Sequence, residues 1–404
     1  MKNITGFRKE LALLANIKSR ELRSLPPRVM WYLHRTFKNE KLTWTGDRYV
    51  ISTFMPPFPS RAFDGLIKNS VDVYRHNVMP YSAYLALTNK CGFNCWHCSK
   101  AHRQGEELSA QKWKDIIKEL QDAGICVIGF TGGEPLLRGD LEELVGAVDN
   151  RSASILFTTG EGFGSARAKK LKDAGLCYTA ISLDHYDAGE HNRLRGSDRA
   201  FKIAVDAIGE SVKSGFYTAV QLTVRKDAAN TGFLDKYMDF VKKLGVQEIR
   251  IIEPMPTGKL IDAGAGTFLG EEDRNALIDF HIRANRISNL PKVAAFAYLE
   301  SGDMYGCGAG IQHVYIDAHG NLCPCDFTPL SFGNLKDESF MSAFSRLRGQ
   351  FDRPRDKCFI LDNIDKLKPS FKKTLPLGRE ESEKVCRDCA KGNLPLYYKK
   401  LGWK

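Results

Sequence analysis

Between residues 83 and 252 six short apolar runs alternate with longer amphipathic segments, each pair filling roughly 30 to 45 residues. The runs lie at 84–88, 126–130, 154–158, 177–183, 217–224 and 248–252, and the helical segments at 110–123, 141–148, 166–174, 201–214 and 234–244. Parallel strands need a crossover of a dozen residues or more, which a helix supplies, so this rhythm dictates repeated strand-helix units and a parallel sheet. Gly124, Gly175, Gly215 and Gly245 stand where four of these helices should stop. Glycine takes the left-handed C-cap conformation without steric cost, so the junctions agree with the runs. The chain is therefore expected to be an α/β protein whose core, residues 81–290, is a partial (β/α)6 TIM-type barrel.

The flanks read differently. Residues 1–80 form a basic N-terminal extension, with amphipathic helices predicted at 5–24 and 28–37 on either side of Pro26-Pro27, then an extended hairpin or wrap at 43–63. Residues 1–45 hold ten Lys or Arg against three acids, a large share of the chain's net charge of +11. Such an excess favours an anionic partner, be it membrane surface, nucleic acid or acidic substrate. An anionic membrane surface is a candidate partner, and no nucleic acid is expected. Ile4, Phe7, Leu11 and Leu14, with Val29, Trp31 and Leu33, lie among those cations as they do in helices that rest on membranes. The alternative is that the helices only cover one side of the barrel. No apolar run nears the roughly 20 residues needed to cross a bilayer, and the N-terminus lacks a signal-peptide pattern. A cytoplasmic location is expected, with membrane association as a candidate. Eleven cysteines in a reducing compartment then argue for metal ligation over disulfides.

Three of those cysteines follow the first strand, in Cys91-Gly92-Phe93-Asn94-Cys95-Trp96-His97-Cys98. A structural tetrahedral site recruits four protein ligands, and a cubane iron-sulfur cluster has four irons to ligate. Three cysteines leave one iron open, and an open position is the mark of a site that does chemistry. A zinc knuckle with His97 as fourth ligand is the alternative. The second strand runs into Thr131-Gly132-Gly133-Glu134-Pro135 at the same end of the sheet, the end that carries active sites in parallel βα folds. Its glycines permit close backbone approach, and Glu134 is an acceptor for an ammonium group.

On these motifs residues 82–290 resemble the radical S-adenosylmethionine superfamily, whose Cys-x3-Cys-x-φ-Cys pattern is matched by Cys91, Cys95, His97 and Cys98. The resemblance implies a [4Fe-4S] cluster on the three cysteines, with S-adenosyl-L-methionine chelating the open iron. It places the methionine amino group at Gly132, Gly133 and Glu134, and the ribose and carboxylate contacts at Ser182 and Asp184. Arg225 is either a partner of the cofactor carboxylate or a surface cation. Thr158-Thr159-Gly160-Glu161-Gly162 stands where many relatives have Thr-Thr-Asn-Gly, so an asparagine contact is missing. The implied activity is reductive cleavage to a 5′-deoxyadenosyl radical that abstracts hydrogen from an unactivated carbon, with a small flavodoxin- or ferredoxin-type electron donor.

Residues 291–404, a small Cys-rich domain, resemble the SPASM/twitch extension, which carries auxiliary iron-sulfur clusters. Cys307, Gly320 and Cys325 meet its opening pattern; only Cys358, Cys386 and Cys389 follow, so the resemblance implies one auxiliary cluster. Cys307, Cys325 and Cys358 are the favoured ligands, Cys386 or Cys389 completes the set, Cys323 is a reserve, and a zinc ribbon is the alternative. Cys126 and Cys177 each begin a buried strand and read as small apolar residues. Lipid or isoprenoid, peptide, and cofactor precursor remain open as substrates, since residues 1–80 lack the helix-and-hairpin order of a winged-helix peptide-recognition module. The rival class is a metal-binding protein without catalysis.

Overall fold

The computed structural model describes residues 1–16, 22–371 and 374–404. β1 (Lys2–Ile4), β2 (Leu42–Trp44) and β3 (Tyr49–Val50) make a small antiparallel sheet. The main sheet holds β4 (Ser82–Thr88), β5 (Val127–Gly132), β6 (Ala153–Thr158), β7 (Tyr178–Ser182), β8 (Tyr217–Thr223), β9 (Glu248–Ile252), β10 (Lys292–Ala295), β11 (His313–Ile316) and β12 (Leu322–Cys323). Its order is β10-β9-β8-β7-β6-β5-β4-β11-β12, parallel from β10 to β11 and antiparallel only between β11 and β12. The six expected strands are all present, in sequence order. β10 and β11 escaped the sequence because each has four residues and neither is followed by a long amphipathic helix. Both lie beyond residue 290, so the cysteine-rich region adds strands to each side of the six-strand core.

Strand alternation sorts the core into two layers. Ala83, Leu85 and Leu87 of β4 face the outer helices with Trp113, Ile117 and Leu144, while Tyr84 and Ala86 face the concave interior with Phe157, Tyr178 and Tyr217. Glycine at 129 makes room for this interior, because a Cβ there would clash with the Tyr84 and Phe157 rings. β9, Glu-Ile-Arg-Ile-Ile, turns its charges inward. Glu248 accepts from the Thr53 backbone N–H at 3.0 Å and the Tyr217 hydroxyl at 3.1 Å. Arg250 donates to the Thr53 hydroxyl at 2.6 Å and lies 3.8 Å over the Phe54 ring. The expected wrap at 43–63 therefore brings polar partners to the inner face, as buried charges require.

The N-terminal helices are Gly6–Asn16 and Pro27–Thr36. Of the helix expected at 5–24, residues 17–21 lie outside the described residues, and Leu22–Ser24 is a 3-10 turn. Ala12 and Leu13 pack with Phe58, Phe63 and Leu66, and Val29 packs with Val71 and Tyr398. Two of the cations are internal. Lys9 donates to the carbonyls of Phe37, Lys38 and Glu40, and Lys41 to those of Ala284, Ile287, Leu290 and Pro291. Each thus satisfies carbonyls at or just beyond a helix C-terminus, where a positive charge is favoured. On the outer side Phe7 is 76% exposed and Trp31 60%, with Leu11, Leu14 and Met30 also exposed. The helices both cover the fold and leave an apolar stripe in solvent. Among the described residues no helix is long and apolar enough to cross a membrane.

Candidate active site

The Cys91–Cys98 loop leaves the C-terminal end of β4 and docks on the helix Ala188–Arg195. The N–H groups of Asn94 and Trp96 donate to the carbonyls of Arg195 and Leu194, both at 3.0 Å, so the loop occupies carbonyls that a helix C-terminus leaves open. The Arg195 guanidinium then turns inward. It pairs with Asp184 at 2.6 Å and points a second N–H at the Cys95 sulfur, 3.7 Å away. Cys95 is buried, whereas Cys91 and Cys98 are half-buried, and all three are free thiols. Burial pushes the Cys91 and Cys98 thiols up, and the nearby Cys95 adds to this. A metal or cluster bound through these thiols would therefore displace protons.

The donor set fits an anionic iron-sulfur group: three thiols on one loop, two of them partly open, with an arginine behind the third. His97 does not join them as the zinc alternative requires. Its Nε2 hydrogen-bonds the Thr223 hydroxyl at 3.2 Å at the end of β8, and burial pushes its pKa down to about 4, leaving the ring neutral. Its Nδ1 is buried without a partner among the described residues. Among those residues no three His, Cys, Asp or Glu side chains converge to hold a single metal ion.

The Thr131–Pro135 turn packs against the start of the cysteine loop. Gly133 donates to the Thr88 carbonyl at 2.6 Å and Glu134 to the Lys90 carbonyl at 2.8 Å. A Cβ on Gly132 or Gly133 would overlap those same carbonyls, and Gly132 has φ of +133°. Gly133→Ala should therefore push the cysteine loop outward, costing about 1 to 3 kcal/mol as overpacking does. Thermal unfolding and S-adenosylmethionine titration of the reconstituted protein should both register it, with at least a tenfold weaker affinity expected; unchanged values would show that the turn yields freely.

Glu134 does something other than present a free carboxylate. It is fully buried and accepts from Leu136 N–H at 3.1 Å, the Thr158 hydroxyl at 2.7 Å, and the Thr159 N–H and hydroxyl at 2.7 and 2.5 Å. Burial raises its pKa and the threonine donors offset part of that rise. The expected ammonium contact meets a carboxylate already engaged at both oxygens, which ties the end of β5 to the end of β6. The same bonds explain the Thr158-Thr159 pair. Glu161, in the place expected for asparagine, brings its carboxylate over Gly92, beside Cys91.

Ser182 ends β7 and is half-buried. Asp184 differs from expectation: its side chain is enclosed between Arg195 and the Thr223 N–H, which donates at 3.0 Å, so it steadies the arginine behind Cys95. Burial alone would raise its pKa, but Arg195, His97 and His191 hold it below the usual carboxylate range. Arg225 follows the end of β8 as a third-exposed cation facing Asp227 and Glu190. This is the surface reading of the two. Arg195 and Glu161 are the site residues that sequence reasoning missed. Arg195 lies a hundred residues from Cys95 with no motif around it, whereas Glu161 was visible as a departure from pattern.

A second group of cysteines gathers where the main sheet ends. β10 and β12 are its two edges, and a cavity of about 110 Å³ near both is lined by Ala294 of β10, His313 of β11 and the sequence Cys325–Thr328 after β12. Cys307, Cys325 and Cys358 all reach it. A hydrogen bond from the Cys358 thiol pulls Cys307 down and Cys358 up, and Cys325 lies 3.2 Å from the Thr328 hydroxyl. Cys386 and Cys389 form a separate hydrogen-bonded pair. Arg355 stands between the groups, influenced by Cys307, Cys386 and Cys389, and its carbonyl accepts from Cys307 N–H at 2.8 Å. Cys323, the reserve ligand, faces elsewhere. It is fully buried in the inner layer, 3.7 Å from Arg103 and pushed up to about 12 by burial. The strand ends at Cys323, so Pro324 breaks the alternation that would have aligned it with Cys325.

Comparison with known proteins matches residues 85–226 to the radical SAM superfamily and residues 307–390 to the SPASM iron-sulfur cluster-binding domain. The AdoMet-dependent heme synthase of Oleidesulfovibrio alaskensis is 28% identical over 279 residues, 63% of this chain and 71% of that one. Its counterpart from Nitratidesulfovibrio vulgaris is 27% identical, covering 63% and 76%. Among solved structures, SuiB of Streptococcus suis bound to the precursor peptide SuiA superposes with a TM-score of 0.57 at 15% identity, covering 80% of each chain. The enzyme anSMEcpe with bound AdoMet gives 0.53 at 19% identity, covering 66% of this chain and 80% of that one. At these identities the structural likenesses establish the fold: an α/β architecture on a parallel sheet.

Proposed function

Because the chain belongs to the radical S-adenosylmethionine superfamily and carries a SPASM iron-sulfur cluster-binding domain, we propose that Cys91, Cys95 and Cys98 hold its [4Fe-4S] cluster at the C-terminal end of β4. Bound there, the cluster and S-adenosylmethionine would supply the one-electron radical chemistry needed to take hydrogen from an unactivated substrate carbon. The chain's own residues make the place for it. Arg195 fixes Cys95 and balances thiolate charge; Asp184, itself held by the Thr223 N–H, pairs with Arg195. Gly132 and Gly133 let the β5 turn lie against the cysteine loop, and Glu134 locks that turn to β6. Neutral His97 keeps one nitrogen for a ligand. The observation that carries this reading is the three free thiols backed by a buried Arg195–Asp184 pair.

Cys307, Cys325 and Cys358, with Cys386 or Cys389, are proposed to hold one auxiliary cluster. The electron donor is proposed to be a small protein of flavodoxin or ferredoxin type. Exposed Arg8, Arg23, Arg28, Arg35 and Lys38 beside Phe7, Leu11 and Trp31 support an anionic membrane surface as a second partner. Peptide modification is the second reading, supported by SuiB and anSMEcpe having been solved with peptides.

Low-temperature electron paramagnetic resonance of the dithionite-reduced protein tests the cofactor site. S-adenosylmethionine should shift the spectrum of the wild type and leave that of Cys98→Ala, which keeps only the auxiliary signal, unchanged. A wild-type spectrum indifferent to S-adenosylmethionine contradicts the proposal.

A further inference from the structure

Behind the exposed apolar stripe the N-terminal helices do not close onto the helix Arg61–Tyr74. They leave a cavity of about 1020 Å³, at the upper end of the roughly 300–1,000 Å³ usual for small-molecule sites. Leu13, Phe63, Leu66 and Val73 form its walls, and Trp31 and Met30 stand at its exposed rim. Of the acidic and basic side chains in its lining, Glu10 and His34 pair with each other at 2.7 Å and Arg23 is exposed; the other titratable groups are Tyr81, Tyr305, Tyr397 and Tyr398. Phe37, Met55, Tyr81, Tyr305 and Gln312 line both this cavity and the 110 Å³ cavity reached by Cys307, Cys325 and Cys358. These five side chains form a wall that the two cavities share, between the basic N-terminal surface and the edge of the core sheet.

Walls of this kind select an occupant. An extended peptide would carry in a backbone donor and acceptor at every residue, while polar side chains of these walls are already engaged within the protein, Asn69 with the Met79 carbonyl, Ser70 with the Leu66 carbonyl and Gln312 with the Tyr398 hydroxyl. A hydrocarbon chain needs none and gains by leaving water. The rim suits the other end of such a molecule, since Arg23 lines it and Arg35 lies 4.6 Å over the Trp31 ring. We propose that this vestibule binds the long hydrocarbon chain of an anionic amphiphile, its head at Arg23 and Arg35 and its chain directed toward the sheet edge. As the class of substrate, this rests on the radical reading above, because a saturated chain offers only unactivated carbons. As a binding site it stands on the cavity alone.

The full-length, anaerobically reconstituted protein should be titrated with 9,10-dibromostearate below its micelle concentration, reading quenching of tryptophan fluorescence. Saturable quenching is expected at one molecule per chain, reduced in Trp31→Phe, with 8-bromooctanoate binding at least tenfold more weakly and geranylgeranyl phosphate or stearate competing. Competition by stearate alone or by the prenyl phosphate alone identifies the head and chain preferred. Ile67→Phe and Ser70→Phe, which fill the cavity from the helix Arg61–Tyr74, should each weaken binding at least tenfold with iron content and thermal midpoint retained. Linear quenching, affinity independent of chain length, or full binding by both filled variants overturns the proposal. If a filled variant unfolds, the chain-length series on the wild type decides. Stearate binding without S-adenosylmethionine cleavage would sink the radical reading and keep the site; cleavage without binding would do the reverse.

Discussion

Changing Cys91, Cys95 and Cys98 together to alanine is expected to abolish S-adenosylmethionine cleavage and to lower iron from about eight atoms per chain to about four. The three thiols share one loop at the end of β4, and the other cysteines reached by the sheet-edge cavity belong to a different part of the fold. The two metal sites should therefore fill independently, and the triple variant should keep the auxiliary iron and its absorbance. Iron and sulfide analysis of anoxically purified protein checks both. A wild type with only about four irons would remove the auxiliary cluster from the account.

The second large effect is expected at Arg195. Its guanidinium and the Asp184 carboxylate are almost wholly enclosed and 2.6 Å apart. Removing one partner of such a pair strands the other charge in the interior, which typically costs about 3 to 5 kcal/mol. Arg195→Met should destabilise the protein by that amount in urea unfolding. It should also loosen the cluster held through Cys95, so that a chelator strips iron from the variant faster than from the wild type. Adding Asp184→Leu should restore much of the stability, since the stranded carboxylate is then gone, but not the hold on the cluster. A loss under about 1 kcal/mol would mean that water reaches the pair.

The sequence made legible what depends on local pattern. Six strands were readable because apolar runs of the right length sat between amphipathic helices, and the Cys91–Cys98 and Thr131–Pro135 loops because their residue types have few other uses at the ends of strands. What was not legible depends on partners distant in the chain. Arg195 looks like any basic residue near a helix end until the fold brings Asp184 and Cys95 to it. Glu134 reads as an acceptor awaiting a ligand until Thr158 and Thr159 arrive from the next strand. Asp184 has an acid's ordinary options and loses them to Arg195. β10 and β11 gave too short a signal, and the alternation that recommended Cys323 stopped at Pro324. The N-terminal cations show the same limit: Lys9 and Lys41 count as surface charge in composition and are internal staples in the structure.

The central claim, that this chain generates a 5′-deoxyadenosyl radical at Cys91, Cys95 and Cys98, is tested most directly by product analysis. The reconstituted protein, kept without oxygen and given dithionite and S-adenosylmethionine, should release 5′-deoxyadenosine and methionine in equal amounts, and the triple cysteine variant should release neither. A fully loaded wild-type protein that leaves S-adenosylmethionine intact, or a triple variant that cleaves it as fast, would contradict the account.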